Sequence, residues 1–317
     1  VSLHEQLYQW TARQGLDASS ARRLRDLSGL DDPPVDPWTW LRRGTGALAA
    51  GLIGFGVILW IAANWGEVSR LMRFALIEAL FVASLAGAAL RAAWRAPLGL
   101  LAFLTLGGLL AFYGQTYQTG ADPWQLFAVW ALLGLPIAWA ARSDLMWTPW
   151  TMVVATAIGL WIQTFADHGW RIDARTLPVH AIGIAAYALL CVAMALRPGA
   201  TPRSWAWRAA VLSAVVAMSA IGLGGLFARH VEGQFWLALA AIAAGLALNW
   251  RRAEVFALSA FALAFDTLIV CGVGRVVLEV MRFDLGGLFL MGLVACGVLA
   301  ASVSLIMRRM RAVGVGA

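Results

Sequence analysis

The 317-residue chain contains no lysine; all 24 of its basic residues are arginine. Charge of either sign is scarce, at 13% of residues, where a water-soluble domain uses about a quarter to dress its surface. There are three cysteines, Cys191, Cys271 and Cys296, each alone in an apolar run. That spacing excludes a disulfide framework and a cysteine metal motif. The HExxH, GxSxG, P-loop and CxxC patterns are all missing, so no motif assigns a catalytic chemistry, and no cofactor is expected. The net charge of +7 does not point to nucleic acid, because the arginines stand at the ends of apolar runs and form no patch.

What the chain has is hydrophobic length. Apolar residues make up 61% of it, and after some forty polar residues they recur in runs long enough to cross a hydrocarbon core of about 30 Å as helices. The alternation of a membrane barrel is missing. Ten spans are expected, over 44–63, 71–93, 98–114, 124–141, 147–166, 178–196, 209–228, 234–250, 253–271 and 285–307. The fold class is therefore all-α, a polytopic transmembrane bundle over 44–307, with a cytoplasmic amphipathic segment and Pro-rich linker over 1–43 and a short tail over 308–317.

Orientation follows from arginine, which collects on cytoplasmic connections. With the N-terminus inside, 17 arginines fall on inner segments and 7 on outer ones, so both termini are expected in the cytoplasm. Tryptophans cluster at both ends of the spans, as an aromatic belt does. The first apolar run is too long for a signal-peptide core, so no cleavable leader is expected. Residues 3–14 and 18–28 read as two short helices around Gly15-Leu16-Asp17, with Asp17 as an N-cap. Leu3, Leu7 and Trp10 make one apolar stripe; Ala21, Leu24 and Leu27 make another. The segment either packs as a small hairpin or docks a protein partner. Asp31 to Pro37, with three prolines, should break any helix.

Polar side chains inside spans are costly and become the candidate functional residues. They are Asn64, Glu78, Tyr113, Gln115, Tyr117, Gln163, His180 and Asp266. All are expected in the periplasmic half, where they could line one cavity. Each also has a structural reading. Asn64 can cap a helix end, the tyrosines and Gln115 can anchor at the interface, and Glu78 can pair with Arg70 or Arg73. Asp266 has no basic neighbour one turn away and should reach a polar group on another span, such as His180, Gln163, Tyr113 or Arg73. The end of the third span, around Gly114 and Gly120, could form a short re-entrant or capping element.

Two stretches carry a resemblance. Gly51 to Trp65 is a Gly-rich span ending in Ala-Ala-Asn-Trp, and Tyr113 to Asp122 contains Gly-Gln-Thr-Tyr. With the short N-terminal segment, they resemble the bacterial membrane-protein family called domain of unknown function 2157, over roughly residues 3–150. The resemblance implies a multi-pass protein of the bacterial inner membrane in contact with lipid, and no known activity. The expected roles are a carrier or binder of a small solute or lipid headgroup, a scaffold, or an intramembrane enzyme using Glu78 or Asp266.

Overall fold

The structure is a computed structural model that describes residues 3–27, 37–64, 66–67, 69–118, 120–166, 172–199, 204–252, 254–281 and 285–312. The described residues form twelve α-helices and no strand: α1 (Leu3–Gln14), α2 (Ala18–Leu27), α3 (Pro37–Ala63), α4 (Arg70–Leu90), α5 (Arg95–Tyr117), α6 (Pro123–Ala141), α7 (Asp144–Phe165), α8 (Leu177–Leu196), α9 (Trp205–Leu226), α10 (Gly233–Arg252), α11 (Val255–Met281) and α12 (Leu285–Ala312). The ten expected spans correspond one to one to α3–α12. Among the described residues, α4 to α12 each supply a stretch long and apolar enough to cross a membrane, and α3 adds a shorter one over Gly44–Trp60. The chain is a helical membrane bundle.

Several helices outrun the expected spans. The helix α3 starts at Pro37, where proline suits a first helical position, and α11 continues ten residues past 271 to Met281. The hydrophobic stretch measures the bilayer, whereas the helix continues through polar ends whose backbone still bonds internally. Of the two forms expected at the end of the third span, the described residues show the cap and not a re-entrant element. Instead α5 runs through Gly114 to Tyr117, and the chain turns with Gln118 and Gly120 at positive φ before α6 starts at Pro123.

The chain divides into two compact units, residues 1–48 and 49–317, with the boundary inside α3. In the first, Gly15 takes the left-handed conformation (φ +58) that ends α1. Asp17 then caps α2, its Oδ1 accepting from the Ser20 N–H at 3.2 Å and its Oδ2 from the Ser19 hydroxyl at 2.6 Å. These bonds, Ser19's first, hold the Asp17 carboxyl down at about 2. Trp10 is exposed, while Ala21 and Leu24 are half-buried. The side chains of Leu3, Leu7 and Leu27, and the Pro-rich linker from 28 to 36, lie outside the described residues.

In the second unit α9 is the hub, packed by α7, α8, α10 and α11, while α5 packs against α4, α6 and α7. Both ends of α9 meet the charge its dipole favours. At the N-terminus, Asp144 from α7 accepts from the backbone N–H groups of Trp205 and of Ala206 (3.4 Å) and pairs with Arg197 at the end of α8. Arg197 also lies over the Trp147 ring at 5.5 Å. At the C-terminus, Arg275 from α11 donates to the carbonyls of Leu226, Ala228 (3.0 Å) and Arg229 (3.2 Å) and pairs with Glu279 at 2.7 Å. One anion and one cation thus tie three helices, α7, α8 and α11, to the hub.

Helix association in lipid relies on close packing rather than on water exclusion. The α5–α6 contact shows how. Trp130 of α6 lies on Gly107 of α5, and Phe103 of α5 lies on Gly134 of α6. The two rings stack with centroids 5.0 Å apart, and Trp130 Nε1 donates to the Phe103 carbonyl at 2.9 Å. A β-carbon on either glycine would come within 2.4 Å of the facing ring.

Candidate functional site

Of the eight polar residues, Tyr113 and Tyr117 touch each other, and the others have separate surroundings among the described residues. Asn64 donates its amide to the Trp60 carbonyl at 2.8 Å and finishes its own helix. Glu78 and Gln163 are exposed, and neither makes a hydrogen bond or ion pair with a described residue. The Tyr113 and Tyr117 rings touch at a tilt, their centroids 4.8 Å apart, with Phe74 of α4 beside Tyr117 at 6.2 Å. His180 is buried at the start of α8, its Nδ1 2.9 Å from the Thr176 carbonyl.

Asp266 is buried inside the bundle, as expected, but its partner is different. Its Oδ1 accepts from the Ser302 hydroxyl of α12 at 2.7 Å, and its Oδ2 has no partner among the described residues. His180, Gln163, Tyr113 and Arg73 are not its partners. The reason lies in the length of α11. With the helix running to Met281, Asp266 sits near its middle rather than toward its outer end.

Polar groups that sequence reasoning missed do gather near the start of α8. Gln234, fully buried on α10, donates its Nε2 to the Asp173 carbonyl at 2.6 Å and to Thr176 Oγ at 3.2 Å, and Thr176 is also the partner of His180. The Gln234 Oε1 has no partner among the described residues. Its amide orientation is fixed, because the Asp173 carbonyl can only accept. Asp144 and Arg275 were missed as well. Arg275 enters the sequence reading only as one of the outer arginines and Asp144 does not enter it, although a lone acid among inner arginines, and an arginine six residues inside a helix end, were the available signals.

The space in this unit lies elsewhere. A cavity of about 370 Å³ opens between α3, α4, α5 and α6. Its walls include Gly54 and Ile58 of α3, Ile77 of α4, Leu104 and Gly108 of α5, and Trp130 of α6. Glycine on α3 and α5 makes the room, since Gly54 approaches Leu101 and Leu104, and Gly108 approaches Ile58. Trp130's N–H is spent on Phe103, so among the described wall residues Gln115 is the one whose side chain brings free hydrogen-bonding groups. It stands two residues before the end of α5, at the side of the bundle where α3 also ends. Of the eight polar residues, the cavity takes in Gln115 alone.

This cavity falls inside the stretch with known relatives. Residues 8–147 match the family described as Predicted membrane protein (DUF2157). The match covers less than half of the chain, all of the cavity wall and both parts of the expected resemblance. No curated protein and no solved structure matches the chain. The family carries no activity, so DUF2157 supports membrane residence and leaves function to the geometry. Among the described residues, no group of three or more His, Cys, Asp or Glu could hold a metal ion.

Proposed function

We propose that this protein binds a membrane lipid, with one apolar chain in the α3–α6 cavity and the chain's polar end at Gln115. The observation that carries this reading is the wall itself: apolar along its length, with one amide at the end nearer the helix termini. The volume falls in the usual range for small-ligand sites. At about 30 Å³ per water-sized group it holds roughly a dozen chain atoms. A polar solute would find one partner there, whereas a lipid chain finds a complete wall.

Physical chemistry limits how the site selects. A chain entering from the bilayer leaves one apolar medium for another, so its hydrocarbon supplies little net affinity. Selectivity rests on fit to the glycine-made space and on Gln115. A hydrogen bond in this setting contributes about 1 kcal/mol, or roughly fivefold in affinity. The carrier and enzyme readings gain less support, because Glu78 and Asp266 share no contact and the polar residues form no path.

The test uses a photoreactive long-chain fatty alcohol with the purified protein in mixed micelles. Adducts should map to residues 54–62 and 104–115, and Ala111→Phe should reduce them at least fivefold by filling the space. Gln115→Leu should reduce them severalfold. Adducts spread evenly over α4 and α12, and unchanged by Ala111→Phe, would refute the reading. We further propose that the cavity faces the periplasmic leaflet of an inner membrane, from the arginine distribution. An impermeant thiol reagent on intact cells should then label Glu67→Cys and not Ser20→Cys, and the reverse pattern would invert the orientation.

A further inference from the structure

The outward face of α4 carries a carboxylate that no described residue satisfies. Arg70 opens this helix and Arg91 follows its last residue, so the span cannot slide in the bilayer without burying an arginine. Glu78 then lies eight residues in from Arg70, about 12 Å deep at 1.5 Å per residue. That is too far for its short side chain to reach the headgroups. The helix α4 buries Ile77, Ser84 and Ala88. Glu78 stands on the exposed side with Leu71, Val82 and Leu85, and it makes no hydrogen bond or ion pair with a described residue. Acidic residues at such depth persist when something pairs with them.

We infer that this face of α4 docks the transmembrane helix of a different protein, one that presents a basic side chain to Glu78. Charge complementarity sets the chemistry: an apolar helix with a single Arg, Lys or His about two turns below its outer end. A second copy of this chain does not supply that group. Copies in one membrane share an orientation, so α4 against α4 would set Glu78 against another carboxylate. Toward that depth the described residues offer Arg73 of α4, which is already engaged, and Arg275, whose guanidinium is held by three carbonyls at the end of α9 and by Glu279. The inference rests on Glu78 and α4 and is independent of the lipid cavity.

The experiment places a photo-cross-linking amino acid at Val82, one turn from Glu78, in the full chain in its native membranes, with Leu212 on an exposed part of α9 as the control position. The expected result is a discrete protein adduct from Val82 and not from Leu212. It should fall about tenfold in Glu78→Arg while the melting temperature of the purified protein stays unchanged. The captured protein should carry an intramembrane basic residue, and replacing that residue with Glu should restore the adduct to Glu78→Arg. Four results would each overturn the inference: no adduct above the control, adducts with lipid or with a second copy only, an adduct indifferent to Glu78→Arg, or a charge exchange that fails to restore it.

Discussion

Asp144→Ala isolates the tie at the N-terminus of α9. The carboxylate accepts from two backbone N–H groups there and pairs with Arg197. Its removal has two costs. Loss of an N-terminal acceptor is worth about 1 kcal/mol. The larger cost falls on Arg197, whose side chain is 7% exposed and whose Nε already lacks a partner among the described residues. Stranding one member of a buried pair costs about 3–5 kcal/mol. Asp144 itself is 30% exposed, so water reaches the site and lowers that figure. A total of roughly 2–4 kcal/mol is expected, which lowers the melting temperature by about 4–7 °C in a domain of this size. Arg197→Met should cost less, because the carboxylate keeps its two backbone donors. The double variant should recover part of the Asp144→Ala loss, since no guanidinium is then stranded. Thermal unfolding followed by size-exclusion chromatography in detergent measures all three. A shift under about 1 °C for Asp144→Ala, or a double variant equal to the sum of the singles, would refute the reasoning.

Gly134→Ala places a β-carbon 2.4 Å from the Phe103 ring and should destabilise by about 1–3 kcal/mol, read as a lower melting temperature, with Gly107→Ala acting similarly against Trp130. At mid-bundle, Ser302→Ala should cost more than Asp266→Asn, because it leaves both carboxylate oxygens of Asp266 without a partner, whereas the amide keeps an acceptor for Ser302; equal melting temperatures for the two would count against the contact. In the first unit, the Asp17 carboxyl is held down at about 2, so its cap is complete above the ordinary carboxylate value near 4 and is lost as the pH falls through about 2. The Ser20 amide resonance should titrate at that low pH, and a midpoint near 4 would show that the cap does not form.

The sequence determined the class of the molecule and the order of its spans. Hydropathy is a one-dimensional property, and lipid forces every backbone group in a long apolar run to bond within its own segment. For the same reason α1 and α2, set by local spacing and by an Asp cap, were legible. Tertiary structure decided what the charges do. Arg275 reads as one more outer arginine, and Asp144 draws no reading, until α9 is seen to place one at each of its ends. Asp266 could be known to need a partner, because burial of a carboxylate demands one. That the partner is Ser302 depends on α11 and α12 lying side by side over lengths that hydropathy underestimates. The shared depth of eight polar residues was a statement along the membrane normal, and convergence is lateral. Sequence has no term for that lateral arrangement, which is set by which glycines admit which rings. It left the polar residues apart and opened the cavity beside Gly54 and Gly108 instead.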